Sequence, residues 1–288
     1  MTDFTQFTFE IDKGVAVVAF NRPEKMNTFN PVMMTEMIKL FDLTDKDDAI
    51  RAVVITGSGK AFCAGADLSN GADTFNYQKR DNTKEIITGG VRRDGGGRLT
   101  LRIFESLKPV IAACNGAAVG VGVTMQLAMD FRLASTAARY GFVFARRGIV
   151  PEACSSWFLP RLVGVPTALE WIYSGRVFDA QEALDKGLVQ SIHAPEDLLP
   201  AAKELAHRIT EKSAPVSVAV SRQMVWRMLG AEHPMMAHRV DSRGIQTRGA
   251  SADVREGITA FKEKRDAHFP NTVSADFPDI FPGTPDFE

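Results

Sequence analysis

The feature that most constrains the fold of this chain is the alternation of strand-like apolar runs with helical segments. The strand-like runs are FTFEIDKGVAVVAFN (7–21), interpreted as a hairpin that turns at residues 12–14, RAVVITG (51–57), PVIAACNG (109–116) and FRLAST (131–136). The helical segments are 30–48, 98–107 and 121–130. In the first of these, Asn30 suits the cap position and Pro31 suits the first turn. This order predicts an α/β fold.

The chain becomes more polar and more helical after Gly187. Amphipathic helical stretches cover 196–213, 215–229 and 250–266. We therefore predict a core over residues 1–199, a helical region over 200–268 and an extended or disordered tail over 269–288, which contains four prolines. The polar, glycine-rich stretch 72–98 predicts a mobile loop.

Charge and cysteine content argue against several classes of protein. The net charge of −1 over 288 residues gives no electrostatic footprint for nucleic acid or an anionic membrane surface. Cys63, Cys114 and Cys154 are far apart and lack a CxxC spacing, so we expect neither a disulfide framework nor a metal site. Because the sequence shows no secretory signal and no long apolar stretch, we predict a cytoplasmic protein without a membrane partner.

Two glycine-rich junctions between a strand and a helix are candidate sites, GSGKAFCAGADL (57–68) and NGAAVGVGVTMQLAM (115–129). Small residues expose backbone N–H groups, and Gly120 and Gly122 flank the start of a helix, where N–H groups are unpaired. If the Ala66 loop faces Val121, their N–H groups can hold one oxygen in an oxyanion hole. The alternative is that these glycines only allow tight packing. Neither junction has a dinucleotide-binding spacing.

Five segments carry a resemblance to a known family. They are NRPEKMNTFN (21–30), AFCAGADL (61–68), KPVIAACNGAAVGVGVTMQLAMDFRLAS (108–135), RGIVPEACSSWFLPRLVG (147–164) and REGITAFKEKR (255–265). In this order they resemble the signature segments of the enoyl-CoA hydratase/isomerase (crotonase) superfamily.

The resemblance implies a fold, a substrate and an assembly. The fold is a crotonase-like α/β spiral of repeated ββα units with a C-terminal helical trimerisation region, in a homotrimer or dimer of trimers. The substrate is an acyl-CoA thioester, whose carbonyl oxygen is held by the N–H groups of Ala66 and Val121. Coenzyme A is then part of the substrate, and no further cofactor is expected.

The carboxylates decide which reaction the resemblance implies. Family members that hydrate a double bond use two glutamates, and the matching positions here are Thr124 and Phe144, neither of which can act as a carboxylate does. Glu152 instead resembles the single catalytic base of a subgroup of Δ3,Δ2-enoyl-CoA isomerases. Its pKa should be raised by an apolar acyl pocket with Thr124, Phe144, Trp157 and Phe158 as candidate lining residues. The alternative is that Glu152 is an early helix residue favoured by the macrodipole.

Residues for coenzyme A follow from the same resemblance. The matching positions lie in a loop, in the first junction and in the C-terminal helix: Lys25, Met26, Asn27, Ala64, Gly65, Asp67, Leu68, Phe261 and Lys264. The lysine ammonium groups suit phosphate oxygens. For Lys264 a solvated charge is the alternative, and for Asp67 a carboxylate that bonds backbone amides at a helix start.

We therefore predict an acyl-CoA enzyme that stabilises a thioester enolate, with Δ3,Δ2-enoyl-CoA isomerisation by Glu152 as the leading hypothesis. One alternative is hydration or another crotonase reaction with a nonstandard base. The other is a catalytically silent acyl-CoA-binding protein that keeps the oxyanion loops without the usual glutamates.

Overall fold

The computed structural model describes residues 4–76, 79, 87–88, 90–283 and 285–286, with backbone alone at 87–88. The strands in these ranges are β1 (Phe7–Asp12), β2 (Val15–Phe20), β3 (Ala52–Gly57), β4 (Ala61–Cys63), β5 (Ile87–Thr88), β6 (Val91–Arg92), β7 (Val110–Cys114), β8 (Ala117–Val119), β9 (Phe131–Ser135), β10 (Arg139–Gly141), β11 (Val177–Asp179) and β12 (Ser191–His193). The helices are α1 (Pro31–Lys46), α2 (Gly95–Phe104), α3 (Val121–Thr124), α4 (Ser155–Val163), α5 (Val165–Ser174), α6 (Ala180–Asp185), α7 (Leu198–Thr210), α8 (Pro215–Met228), α9 (Pro234–Gly249), α10 (Ala252–Glu263) and α11 (Val273–Asp276).

Two sheets form the centre of the fold. The larger has the strand order β1-β2-β3-β7-β9-β12, antiparallel between β1 and β2 and parallel from β2 onward. The smaller has the order β11-β10-β8-β4, with β10, β8 and β4 parallel and β11 antiparallel to β10. Long crossover connections are required between parallel neighbours, which explains the helices between them.

The chain winds as a spiral, because each turn gives one strand to each sheet. β3 is followed by β4, β7 by β8 and β9 by β10, and a helix follows each pair. This pattern confirms the α/β prediction and the repeated ββα units that the resemblance implies.

The larger sheet is covered on both faces. One face meets the main core, in which Phe20, Phe41 and Phe62 are fully buried. The other face packs against α7 through Leu198 and Leu205. Strands buried on both faces read as continuous apolar runs, which is why Val110–Cys114 is buried throughout.

Local sequence explains where the first helices begin. The Asn30 side chain accepts a hydrogen bond from Met33 N at 2.8 Å, as its predicted cap role requires. The helix predicted over 98–107 starts earlier, at Gly95, because Asp94 caps it. The segment predicted as one helix over 121–130 is shorter: α3 ends at Thr124 and a 3-10 turn covers Met125–Ala128.

The predicted helical region contains the three expected helices and one that the sequence pattern did not reveal. The additional helix is α9, whose residues are mostly exposed and whose apolar face is narrow. The first of the expected helices, α7, packs on the core sheet. Among the helices of the described ranges, none has the length and hydropathy needed to cross a bilayer.

The tail differs from the prediction of an extended or disordered segment. Residues Val273–Asp276 form α11, and Ser274 N donates to Asp48 Oδ1 at 3.0 Å. Val273 and Ile280 are buried, Ile280 in a small cluster with α8 and α9. The apolar residues between the prolines provide this burial. The predicted mobile loop 72–98 lies partly outside the described residues, and its last four residues belong to α2.

Candidate active site

The two glycine-rich junctions lie side by side, because the strands they contain, β4 and β8, are parallel neighbours. An atom added as Cβ to Gly122 would lie 1.9 Å from the carbonyl oxygen of Cys63. One added to Gly65 would lie 3.1 Å from the carbonyl oxygen of Val119. The glycines therefore do allow tight packing, and this packing is what brings the two junctions together.

The backbone around Ala66 leaves its N–H group free for a ligand. Phe29 N donates to Gly65 O and Asp67 N donates to Phe29 O, both at 2.8 Å, which is a parallel β-bridge centred on Ala66. In such a bridge the N–H of the central residue points away from the partner strand. Within the ranges that the structure describes, the Ala66 N–H has no hydrogen-bond acceptor.

Val121 is the first residue of α3, and it follows Gly120, whose φ is +55°. The Gly120 carbonyl accepts hydrogen bonds from Val123 N and Thr124 N, both at 3.0 Å. The Val121 N–H belongs to the first turn, which has no intrahelical acceptor, and none is found elsewhere in the described residues. Both predicted oxyanion donors are thus available on adjacent junctions.

Glu152 lies in a tight turn rather than in a helix. Ala153 and Cys154 follow it with φ values of +54° and +56°, and α4 begins only at Ser155. Non-glycine residues rarely adopt this conformation, and it costs energy that the surroundings must supply. Ser155 supplies part of it, since its N and Oγ donate to the Glu152 carbonyl at 2.9 and 2.6 Å. The interpretation of Glu152 as an early helix residue is therefore wrong.

The Glu152 carboxyl group lies between α3 and α2. Its Oε1 is 2.5 Å from Thr124 Oγ1, a short hydrogen bond. Its Oε2 lies against Gly96, where an added Cβ would be 2.1 Å from Oε2 and 3.2 Å from Val121 Cγ2. The carboxyl group and the Val121 side chain therefore border the same glycine, so Glu152 and Val121 are neighbouring residues in the fold.

Asp94 is a site residue that the sequence analysis did not identify. Its carboxylate caps α2 by accepting from Gly96 N and Gly97 N at 3.1 and 2.7 Å. It also accepts from Ala153 N at 2.9 Å, so it joins α2 to the turn that carries Glu152. An aspartate before the glycine run 95–97 is a helix-cap pattern, and that pattern was the available signal.

The electrostatics of the site favour proton exchange near neutral pH. Burial, followed by the negative charge of Asp94, raises the pKa of Glu152 to about 8, and the hydrogen bond from Thr124 opposes this rise. Burial also raises the pKa of the Cys63 thiol to about 12, and the charge of Glu152 contributes to that increase. A carboxyl group that titrates near the working pH can both remove and return a proton.

The four predicted acyl-pocket residues occupy different surroundings. Thr124 contacts Glu152 directly, and Phe144 is buried in the main core. Trp157 and Phe158 form an aromatic cluster with Phe104 and Trp226, with ring centroids of Trp157 and Phe158 4.6 Å apart. The pocket-lining role of Phe144, Trp157 and Phe158 stays a prediction.

The loop predicted to hold coenzyme A is bonded to the first junction, through Ala64 N and Met26 O at 3.0 Å. Lys25 and Met26 are exposed, as a ligand contact requires. Asn27 is not: it is fully buried. Its amide accepts from Arg22 N at 2.8 Å. It also donates to the carbonyls of Ser58 and Ala61. We therefore correct its assignment from a contact residue to a residue that holds the loop.

Asp67 also has a structural partner, and it is not in a helix. Its carboxylate forms an ion pair with Arg22 at 3.1 Å and accepts from Ser69 N at 3.1 Å. The Arg22 bond lowers the pKa of Asp67. Arg22 additionally donates to Thr28 O at 2.7 Å, so it ties the junction to the Lys25 loop. Leu68 is exposed at the end of the junction, and Gly65 is buried within it.

Phe261 and Lys264 lie on or just after α10, and both are exposed. Lys264 is the C-cap residue, with φ of +55°. Across the described part of this chain, no hydrogen bond or ion pair joins either side chain to the Lys25 loop or to the first junction. Their contact with coenzyme A stays a prediction.

Comparison with known proteins identifies the family of this chain. The profile of the family described as enoyl-CoA hydratase/isomerase matches residues 10–272. An enoyl-CoA hydratase of Alternaria alternata is 38% identical over 261 residues, which are 90% of this chain and 84% of that protein. The 1,2-epoxyphenylacetyl-CoA isomerase of Escherichia coli K12 is 30% identical over 268 residues, 90% of this chain and 96% of its own.

A solved structure of an enzyme from the same family has a similar fold. The crystal structure of an enoyl-CoA hydratase from Bacillus anthracis aligns with 92% of this chain and 99% of its own, at a TM-score of 0.81 and 28% identity. The profile match covers most of the chain, from within β1 to the residues between α10 and α11. The chain therefore belongs to the enoyl-CoA hydratase/isomerase family.

Proposed function

We propose that this enzyme isomerises 3-enoyl-CoA thioesters to 2-enoyl-CoA thioesters, with Glu152 as the single proton shuttle. The observation that carries the proposal is the position of the Glu152 carboxyl group, which borders Gly96 together with Val121. With the thioester oxygen held by Val121 N–H and Ala66 N–H, we expect a base in that position to reach the carbon next to the carbonyl.

The proposed reaction moves one proton and shifts one double bond. Glu152 takes a proton from C2, and the electron pair of that C–H bond delocalises onto the thioester oxygen as an enolate. The two backbone N–H groups stabilise this negative charge as it develops. Glu152 then gives its proton to C4, the enolate carbonyl reforms and the double bond moves from C3–C4 to C2–C3. No water is consumed.

Neither position at which hydrating family members have a catalytic glutamate carries a carboxyl group here, which supports a reaction with a single catalytic carboxyl group. Thr124, at a position where hydrating family members have a glutamate, is fully buried and bonded to Glu152. Phe144, at the other position, is part of the core. Neither residue can activate a water molecule as a carboxylate does.

Hydration is the second candidate, because the relative from Alternaria alternata is named an enoyl-CoA hydratase. In that reaction Glu152 would act alone on water and on C2. The third candidate is a catalytically silent protein that binds acyl-CoA without turnover.

The test offers the purified protein a 3-enoyl-CoA and a 2-enoyl-CoA separately and follows conjugation by absorbance and product mass. We expect conversion of the 3-enoyl substrate and a loss of at least about a hundredfold in Glu152→Gln. The matched control is Glu204→Gln on the exposed side of α7, which should keep full activity. Addition of water to the 2-enoyl substrate without isomerisation would favour hydration, and binding without turnover would favour the silent alternative.

We also propose that the chain assembles as a homotrimer or a dimer of trimers. Support comes from large apolar side chains on α8 to α10, since Val225 is 70% exposed, Ile245 77% and Phe261 85%. Sedimentation equilibrium should give a mass of three or six chains, and a monomer would contradict the proposal.

A further inference from the structure

The Thr124 hydroxyl group lies between two hydrogen-bond partners. Its Oγ1 is 2.5 Å from Glu152 Oε1 and 3.3 Å from the Gly120 carbonyl oxygen. A carbonyl can only accept, whereas a carboxyl group accepts when it is ionised and donates when it is protonated. The hydroxyl group itself has one hydrogen to donate and lone pairs to accept with.

This arrangement can keep the Thr124–Glu152 hydrogen bond in both states of the carboxyl group. When Glu152 is ionised, Thr124 donates its hydrogen to Oε1. When Oε1 carries the proton, Glu152 donates to Oγ1 and the Thr124 hydrogen turns to the Gly120 carbonyl. Thr124 is fully buried, so bulk water does not compete for either bond.

The two oxygens of Glu152 therefore have different surroundings. Oε1 is held by Thr124, and Oε2 is directed at Gly96, next to Val121. We propose that Thr124 is a positioning residue that holds Oε1 in both protonation states through this exchange with the Gly120 carbonyl, so that Oε2 is the oxygen that meets the substrate. The role of Oε2 rests on the proposed isomerase function, whereas the two-way hydrogen bond does not.

Two variants separate the hydroxyl group from the volume of the side chain. Thr124→Val keeps nearly the same shape without the hydroxyl, and Thr124→Ser keeps the hydroxyl without the methyl group. We expect kcat on a 3-enoyl-CoA to fall between about tenfold and a hundredfold in T124V with little change in KM, because the carboxyl group loses its orientation. T124S should recover most of this loss.

The pH dependence distinguishes a positioning role from a merely structural one. The bond that Thr124 donates to the ionised carboxylate is charge-assisted and therefore stronger than the bond it accepts from the protonated form. Removal of Thr124 should then move the ascending limb of kcat/KM to higher pH, and T124S should return it. A T124V enzyme with an unchanged pH profile and unchanged kcat would overturn the proposal.

A measurement without substrate keeps this test independent of the proposed function. In protein labelled with carbon-13 at the glutamate carboxyl groups, the Glu152 resonance is assigned by its loss in E152Q and titrated by NMR. We expect its midpoint to move to higher pH in T124V and to return in T124S. An unchanged midpoint in folded T124V would contradict the hydrogen bond, even if the wild type converted a 3-enoyl-CoA. A shifted midpoint together with no turnover by the wild type would instead contradict only the proposed function. If T124V does not fold, T124A gives the same comparison.

Discussion

The carboxylate of Asp94 accepts the backbone N–H of Ala153 at 2.9 Å, so the cap of α2 also holds the turn that carries Glu152. This bond explains how two consecutive residues, Ala153 and Cys154, keep positive φ values. Burial raises the pKa of Glu152, and the negative charge that Asp94 places nearby adds to this rise. One aspartate therefore contributes both to the geometry and to the proton affinity of the candidate base.

Replacement of Asp94 by asparagine should move the activity profile to lower pH. Asparagine is as good a helix cap as aspartate, so α2 should form. Loss of the negative charge lowers the pKa of Glu152, and the ascending limb of kcat/KM should follow it. Asp241→Asn on the exposed side of α9 is the control and should leave the profile in place. An unmoved limb in D94N would show that Asp94 does not act on Glu152.

Gly96→Ala should give a folded but nearly inactive enzyme. The new methyl group would lie 2.1 Å from Glu152 Oε2, so the carboxyl group must move away from Val121. We expect kcat to fall about a hundredfold, because a small displacement of a reacting group can lower the rate by about that factor. Alanine is the better helix former, which supports folding of α2. Gly249→Ala, where an added Cβ meets nothing within 4 Å, should keep full activity. Equal activity of both variants would contradict the position assigned to Glu152.

Glu152→Gln should stabilise the folded enzyme at alkaline pH. The folded-state pKa of Glu152 lies above its unfolded value, so only the unfolded chain releases this proton between about pH 4.5 and about pH 8. Stability therefore falls as pH rises through this window, by at most about 1.4 kcal/mol per pH unit. Glutamine does not ionise, so the Tm of E152Q should exceed that of the wild type near pH 8 and approach it near pH 4.5. The opposite order at pH 8 would show that the carboxyl group is not held protonated.

Asn27→Ala should lower the stability of the fold, whereas Lys25→Ala, only two positions away, should weaken binding of the acyl-CoA. Loss of the buried Asn27 amide leaves the Ser58 carbonyl without that donor and Arg22 N without that acceptor, at a cost of about 1–3 kcal/mol for each unsatisfied group. The Ala61 carbonyl keeps a bond from Asn115 Nδ2 at 3.4 Å. We expect a clear drop in Tm for N27A. Lys25 is exposed, so K25A should keep the Tm and raise KM for the acyl-CoA. A Tm for N27A equal to that of the wild type would restore Asn27 as a possible ligand contact.

The sequence predicted the parts of the structure that depend on local patterns. The hairpin, the α1 cap and the succession of strands and helices along the chain follow from apolar periodicity and capping residues, and the two junctions follow from their glycines. Helix α9 was missed because its exposed surface leaves a narrow apolar face, and the packing of the tail depends on distant residues such as Asp48.

The contacts of Glu152 could not be predicted in the same way. Thr124 is 28 positions away, and its hydrogen bond to Glu152 depends on how α3 meets the turn before α4. The family resemblance identified Glu152 as a candidate base but not the residues that orient it. The burial of Asn27 was likewise decided by tertiary packing, since a polar residue in a loop is ordinarily exposed.

The most direct test of a single-carboxyl shuttle follows one hydrogen through the reaction. A 3-enoyl-CoA that carries deuterium at C2 is converted in ordinary water for less than one full turnover of the substrate pool, and the product is analysed by NMR and mass spectrometry. Transfer by Glu152 predicts product molecules with deuterium at C4, and their loss in E152Q together with the activity. Active enzyme whose product carries no deuterium at C4, even at the earliest times, would contradict the transfer of the same hydrogen from C2 to C4 by Glu152.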